Sequence, residues 1–230
     1  MSQDRFASLA VRPPIELAVA ASARPPVEAR DKYLRDWTVV KRARFNAAKR
    51  FERKQDASTL AFVFAGVIGF LLPVYTLLFT DVLSIHTKNV LDFTAYVTGA
   101  LSLLVGLIEQ AKDYPAKARR FDQCARRVNV LVRRLAFFVR HPQDLFGLIE
   151  DYERALEECG DNHDGIDYAI ALAHQRIDDG FDADNAKREL AQLRLKESIT
   201  IYGLYASIWL LPLVVGVLLW WALYPETVIR

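Results

Sequence analysis

The stretch Leu60-Ala61-Phe62-Val63-Phe64-Ala65-Gly66-Val67-Ile68-Gly69-Phe70-Leu71-Leu72-Pro73-Val74-Tyr75-Thr76-Leu77-Leu78-Phe79 holds twenty residues without a charge. As a helix rising about 1.5 Å per residue, it covers the roughly 30 Å hydrocarbon core of a bilayer. Outward from it, a second apolar stretch runs over 90–108, interrupted only by Asp92 near the short 80–89 connection, where a carboxylate can reach the headgroups. A third, 199–224, closes on Trp220, Trp221 and Tyr224, the amphipathic aromatics expected at a lipid–water boundary. Residues 57–109 and 198–230 together carry six charged side chains in 86 positions, and the other 144 carry fifty-two. The overall charged fraction of 25% conceals that split. Segregation of this kind excludes one soluble core and predicts an all-α membrane protein.

The expected organisation is a flexible N-terminal tail (1–30), a basic amphipathic helix (31–56), a transmembrane hairpin (57–109), a cytoplasmic helical domain (110–197) and a C-terminal transmembrane helix (198–224). Residues 31–56 hold nine Lys and Arg against four acids, the 80–89 turn holds Lys88 alone, and 110–140 hold nine against two. The positive-inside rule therefore places the N-terminus and residues 110–197 of a multi-pass protein in the cytoplasm. The tail lacks the pattern of a secretory signal: its one apolar run, Ile15–Ala21, is interrupted by Glu16 and bracketed by Pro13-Pro14 and Pro25-Pro26. Two cysteines, Cys124 and Cys159, are too few for a disulfide framework and fit a reducing compartment.

Residues 31–56 place Tyr33, Trp37, Val40, Phe45, Ala48 and Phe51 at helical spacing; such a helix can lie on anionic lipid or pack its aromatics inside the soluble part. After Pro115 a repeat of seven begins: Ala118-Arg119-Arg120-Phe121, Ala125-Arg126-Arg127-Val128 and Val132-Arg133-Arg134-Leu135. Positions 118, 121, 125, 128, 132, 135 and 139 make a seam to bury, with Arg119, Arg120, Arg126, Arg127, Arg133 and Arg134 striped beside it. Guanidinium forks match carboxylate and phosphate alike. Pairing with headgroups or with the acidic 141–197 segment, fifteen acids against six bases, comes before a nucleic-acid or nucleotide ligand, and direct nucleic-acid binding is not expected. Asp144 is a candidate cap for a helix ended by Cys159-Gly160. A second helix follows the Asp161–Asp164 turn, and after a break at 178–184 a third runs from Asn185 into the last apolar segment.

For chemistry the chain offers little. There is no phosphate-cradling glycine loop, nucleophile elbow or zinc-spaced cysteine pair, so neither catalysis nor a cofactor is expected. His163, Asp164, Asp167 and His174 form a His/Asp group, for which capping and packing is preferred to metal ligation. The spans carry small residues at four-residue spacing: Ala61, Ala65 and Gly69 in the first, and Ala95 with Gly99, then Thr98, Ser102 and Gly106, in the second. Such faces bring helix backbones together, within a hairpin or between copies, and a polar strip of this kind can also line a pore.

Three separated stretches then resemble one family. Arg44-Phe45-Asn46-Ala47-Ala48-Lys49-Arg50-Phe51 precedes the first span, Ser102-Leu103-Leu104-Val105-Gly106-Leu107-Ile108-Glu109 closes the second, and Tyr152 is followed by Asn162-His163-x3-Asp167-Tyr168. Their order and spacing over 31–224 resemble SLATT-domain proteins, including a terminal apolar helix as in the branch associated with reverse transcriptases. The resemblance implies a two-helix membrane hairpin followed by cytoplasmic helices. It also implies an effector that perforates the inner membrane of an infected cell, beside a nucleotide synthetase, a nucleotide sensor or a reverse transcriptase. It carries the motif positions onto Glu109, Asn162, His163, Asp167 and Tyr168, in structural roles. The leading expectation is a non-enzymatic, self-associating membrane effector of antiphage defence. The rival is a membrane-anchored scaffold whose arginine-striped helix holds a protein or nucleic-acid partner.

Overall fold

The computed structural model describes residues 26–139, 142–160 and 162–223. Residues 1–25 of the expected tail, Arg140 and His141 at the fading end of the repeat, and Tyr224 of the aromatic belt lie outside the described residues. Six α-helices and no strand make up what is described: α1 (Pro26–Leu78), α2 (Ile85–Ala111), α3 (Tyr114–Phe137), α4 (Pro142–Cys159), α5 (Gly165–Asp178) and α6 (Ala183–Leu223).

The 53-residue α1 organises the molecule. No Gly or Pro interrupts residues 27–65, so the basic stretch and the first span form one rod of about 80 Å, helical already from Pro26. Pro73 is carried inside the rod near its outer end. Ser84 then caps α2, its Oγ accepting from Thr87 N at 3.2 Å, and α2 returns through the bilayer. Two helices, Glu28–Leu78 and Ile85 onward, are long and apolar enough to cross a membrane, and only 17% and 22% of their most apolar windows are buried. Phe70, Leu77 and Leu78 point outward, as a core helix of a soluble protein would not allow. These are lipid-facing helices, and the chain is an all-α membrane protein.

After α2 Asp113 takes a left-handed conformation (φ 45°) and accepts from Ala116 N, turning the chain sharply into α3. α3 packs back along α1: its seam of Ala118, Phe121, Ala125, Val128, Val132 and Leu135 is buried. Phe121 stacks on Phe51 (5.6 Å), while Trp37 stacks on Tyr152 of α4 (4.2 Å, 5° between planes) in the largest buried cluster. The aromatics of 31–56 therefore enter the protein core, not lipid. Gly160 (φ 67°) ends α4, and Asp144 sits in that helix's first turn, not at its cap. Gly180 (φ 69°) and Asp182 (φ 50°) make the break before α6.

The cysteines require a correction. α3 and α4 form an antiparallel pair that brings Cys124 and Cys159 to a Cα–Cα separation of 5.7 Å, and the two are joined as a disulfide. Two cysteines make no framework, but the register of two helices made them neighbours, and spacing along the chain carried no sign of it.

Candidate functional site

Within the hairpin the small residues meet each other. Ala61, Ala65 and Ala95 are buried, and a Cβ on Gly69 would touch Gly99 Cα at 3.7 Å. Over Gly106 lies the Phe62 ring, so close that a Cβ there would stand 2.3 Å from it. Thr98 and Ser102 are buried too, and the Ser102 hydroxyl donates to its own helix at Thr98 O. This strip thus sits at the contact of α1 with α2. Asp92, the one acid in the second stretch, is held across the hairpin: Thr76 Oγ1 donates to Oδ1 at 2.6 Å and Lys88 reaches Oδ2 at 3.1 Å. Near the hairpin turn a carboxylate with two donors is a tolerable membrane resident.

The ends of the spans next to the soluble helices carry a second polar knot. Glu109, buried, accepts from Tyr205 Oη of α6 at 2.6 Å and pairs with Lys112. Beside it Ala57 and Ala61 of α1 pack on Ile201 and Tyr205, Arg53 reaches Glu197 at 3.2 Å, and Phe64 meets Trp209 at 5.5 Å. Three helices, α1, α2 and α6, are therefore fastened together at the base of the hairpin. A groove of about 390 Å³ opens there between α1 and α2, apolar at Phe62 and Leu107 and polar at Gln55, Glu109 and Gln110.

About 15 Å below, a third knot joins α1 to the turn before α5. The fully buried Asp167 takes a fork from Arg50, Nε to Oδ1 at 3.2 Å and Nη2 to Oδ2 at 2.9 Å. Arg50 Nη1 also reaches Asp164, Asn46 donates to the Asp167 carbonyl, and Asp164 N donates to Asp167 Oδ2, starting α5. Burial pushes the Asp167 carboxyl up while the Arg50 guanidinium pulls it down. His163 precedes α5 and so does not share a helical face with Asp167; it stacks on Tyr168 (5.7 Å). Burial and the nearby charge of buried Arg44 hold His163 below its ordinary value, in the neutral form. Asn162 is exposed, and His174 turns away to Arg194. Among the described residues no three His, Cys, Asp or Glu side chains converge on a metal position.

The six arginines of the stripe are exposed on α3. Arg127 pairs with Glu158 of the acidic segment, and Arg126 with Asp122 one turn away on its own helix.

The family model described as "SMODS and SLOG-associating 2TM effector domain family 5" matches residues 27–218. The chain belongs to this SLATT family. No curated protein and no solved structure matches it. Membership makes it a membrane effector domain of the kind found in defence systems. Glu109 and Asp167, two of the positions singled out in the sequence, are buried acids at these knots, and each is answered by a residue that was not singled out by itself, Tyr205 and Arg50. Arg50 lay inside a quoted family stretch; Tyr205, in an apolar run, carried no signal.

Proposed function

We propose that this SLATT protein is the membrane effector of a bacterial antiphage system of the abortive-infection type. Copies associate in the inner membrane, with the N-terminus and α3–α5 in the cytoplasm and α6 as a third crossing, and permeabilise the membrane when a signal reaches the soluble helices. An upstream nucleotide synthetase, sensor or reverse transcriptase supplies that signal. One observation carries the reading: α1 and α6 run unbroken from the soluble helices into apolar segments, Arg53–Glu197 and the Ala57–Ala61–Ile201–Tyr205 cluster clamp them together, and Arg50–Asp167 ties α1 to α5. A displacement of α5 is thereby felt at the inner ends of the spans, because a helix transmits rotation and tilt along its length.

The test is expression in bacteria carrying a membrane-potential dye, with and without phage. Depolarisation and growth arrest ahead of lysis are expected, weakened at least tenfold by Asp167→Ala at equal membrane abundance. Unchanged potential and growth at high expression and during infection would overturn the proposal.

A further inference from the structure

The soluble helices present two outward faces of opposite charge. α3 carries seven basic residues against one acid, and the neighbouring α4 carries six acids against one arginine. At 100° per residue, Arg119, Arg126 and Arg133 lie opposite the buried seam of α3, and Glu150, Glu153 and Glu157 lie opposite the Leu148–Tyr152–Ala155 seam of α4. All six are exposed. Arg119, Arg133 and the three glutamates make no ion pair among the described residues, and Arg126 reaches only Asp122 on its own helix.

The two faces also match in pitch and height. Arg126 to Arg133 and Glu150 to Glu157 are each one seven-residue step, about 10.5 Å. The Cys124–Cys159 link sets the antiparallel register of α3 against α4, and the buried cluster continues it with Val128 near Ala155 and Leu135 near Leu148. In that register Arg126 stands level with Glu157, and Arg133 with Glu150. Rotation about the membrane normal keeps heights unchanged. A neighbouring copy so related brings its glutamates to these arginines with no slip along the axis.

We propose that the arginine face of α3 in one copy docks on the glutamate face of α4 in the next copy, head to tail, through Arg126–Glu157 and Arg133–Glu150. Successive copies then close a ring of soluble helices beneath the spans. The inference rests on the self-association in the proposed function and assigns its surface. The contact joins two different surfaces, so it is heterologous and repeats from copy to copy, and a ladder extending beyond the dimer distinguishes it from a two-fold pair in which each arginine face meets the other copy's glutamates. Lipid headgroups are out of reach. Phe121 packs on Ala48, twelve residues before Leu60, and Arg126 and Arg133 lie further along, about 25 Å and about 35 Å from the bilayer edge by helix length. Exposed pairs are individually weak, but copies held parallel in one membrane meet at high effective concentration.

The test is crosslinking of the full-length protein in bacterial membranes, read as an oligomer ladder, with membrane potential read in the same cells. Arg126→Glu with Arg133→Glu should reduce the ladder at least tenfold, and Glu150→Arg with Glu157→Arg should do the same. Combining all four should restore it, which a folding defect cannot do. A ladder insensitive to either reversal, or not restored by the combination, overturns the interface. So does tight binding of a fluorescent single-stranded oligonucleotide that is lost in the arginine variant while its ladder persists. Normal charge behaviour of the ladder without any depolarisation by the natural sequence would overturn the permeabilising function and leave the interface standing.

Discussion

Asp167 shows how much one residue holds in this protein. It has no access to solvent, and its charge is supportable only because Arg50 brings two donors and the Asp164 amide a third. Removing one partner of a buried pair strands the other, at a cost of about 3–5 kcal/mol, whereas replacing both by apolar residues is far milder. Asp167→Ala should therefore destabilise the detergent-solubilised protein by about 3 kcal/mol in denaturant unfolding, and Arg50→Met with Asp167→Leu should recover most of the loss. His163 provides a pH dependence in the same place. Its folded form holds a proton less readily than the unfolded chain, whose histidine titrates near 6.5. The unfolded state therefore binds more protons as the pH falls, so this contribution is complete above 6.5 and is lost on acidification below it. Unfolding free energy should fall between pH 7.5 and 5.5, and His163→Gln should flatten part of that slope. His174, also held low by burial and by Arg194, accounts for a further part, which His174→Gln removes.

Among the elements, the hairpin and the α3–α4 pair make contrasting tests. Leucine at Gly106 must displace the Phe62 ring, whereas a Cβ at Gly99 meets nothing within 4 Å. Gly106→Leu should lower hairpin stability by about 1–3 kcal/mol, as overpacking does. Phe62→Ala should relieve it, while Gly99→Leu should leave the monomer's melting temperature unchanged. In the α3–α4 pair, the Cys124–Cys159 bond closes 35 residues of sequence, worth about 4 kcal/mol by loop entropy. Cys124→Ser, or reductant on the natural protein, should lower the melting temperature. Labelling in living cells should find both thiols free if α3 and α4 face a reducing cytoplasm, and neither free after oxidative purification. These elements also show what a sequence can carry. The seam of α3 was readable because burial repeats every three and four residues on one helix, and the spans because lipid demands an uncharged run. Arg50 and Asp167 are 117 positions apart, and Tyr205 and Glu109 are 96 apart. Their pairing depends on which helices fold together, and no local pattern records that. The small residues at 61, 65, 69, 95, 99, 102 and 106 were legible as a packing face, but only the fold shows α1 and α2 packing on each other. Asp92 looked like a flaw in a span until Thr76, sixteen residues earlier, was seen to hold it.

At the scale of the whole molecule the decisive property is continuity. α1 carries Arg50 at the lower knot and Ala57 and Ala61 at the upper one on a single rod, with Gln55 between them. If a signal at the soluble helices opens the membrane, it must pass through that short segment or through the matching one of α6, where Glu197 and Tyr205 sit. A proline at position 55 removes one backbone hydrogen bond, clashes with the preceding turn and kinks or breaks the rod, without touching either network's side chains. Gln55→Pro should therefore leave the chain inserted, as judged by carbonate-resistant membrane fractionation. The Arg50–Asp167 core should survive as well, as judged by near-native protease resistance of the soluble helices. Depolarisation during infection should be lost. Gln55→Ala, which keeps the helix, should behave like the natural protein. If the proline variant depolarises cells as fast as the natural protein, the rod does not transmit the signal, and the route must run through α6. Proline at Ser198, between Glu197 and Tyr205, would then be the substitution that abolishes depolarisation.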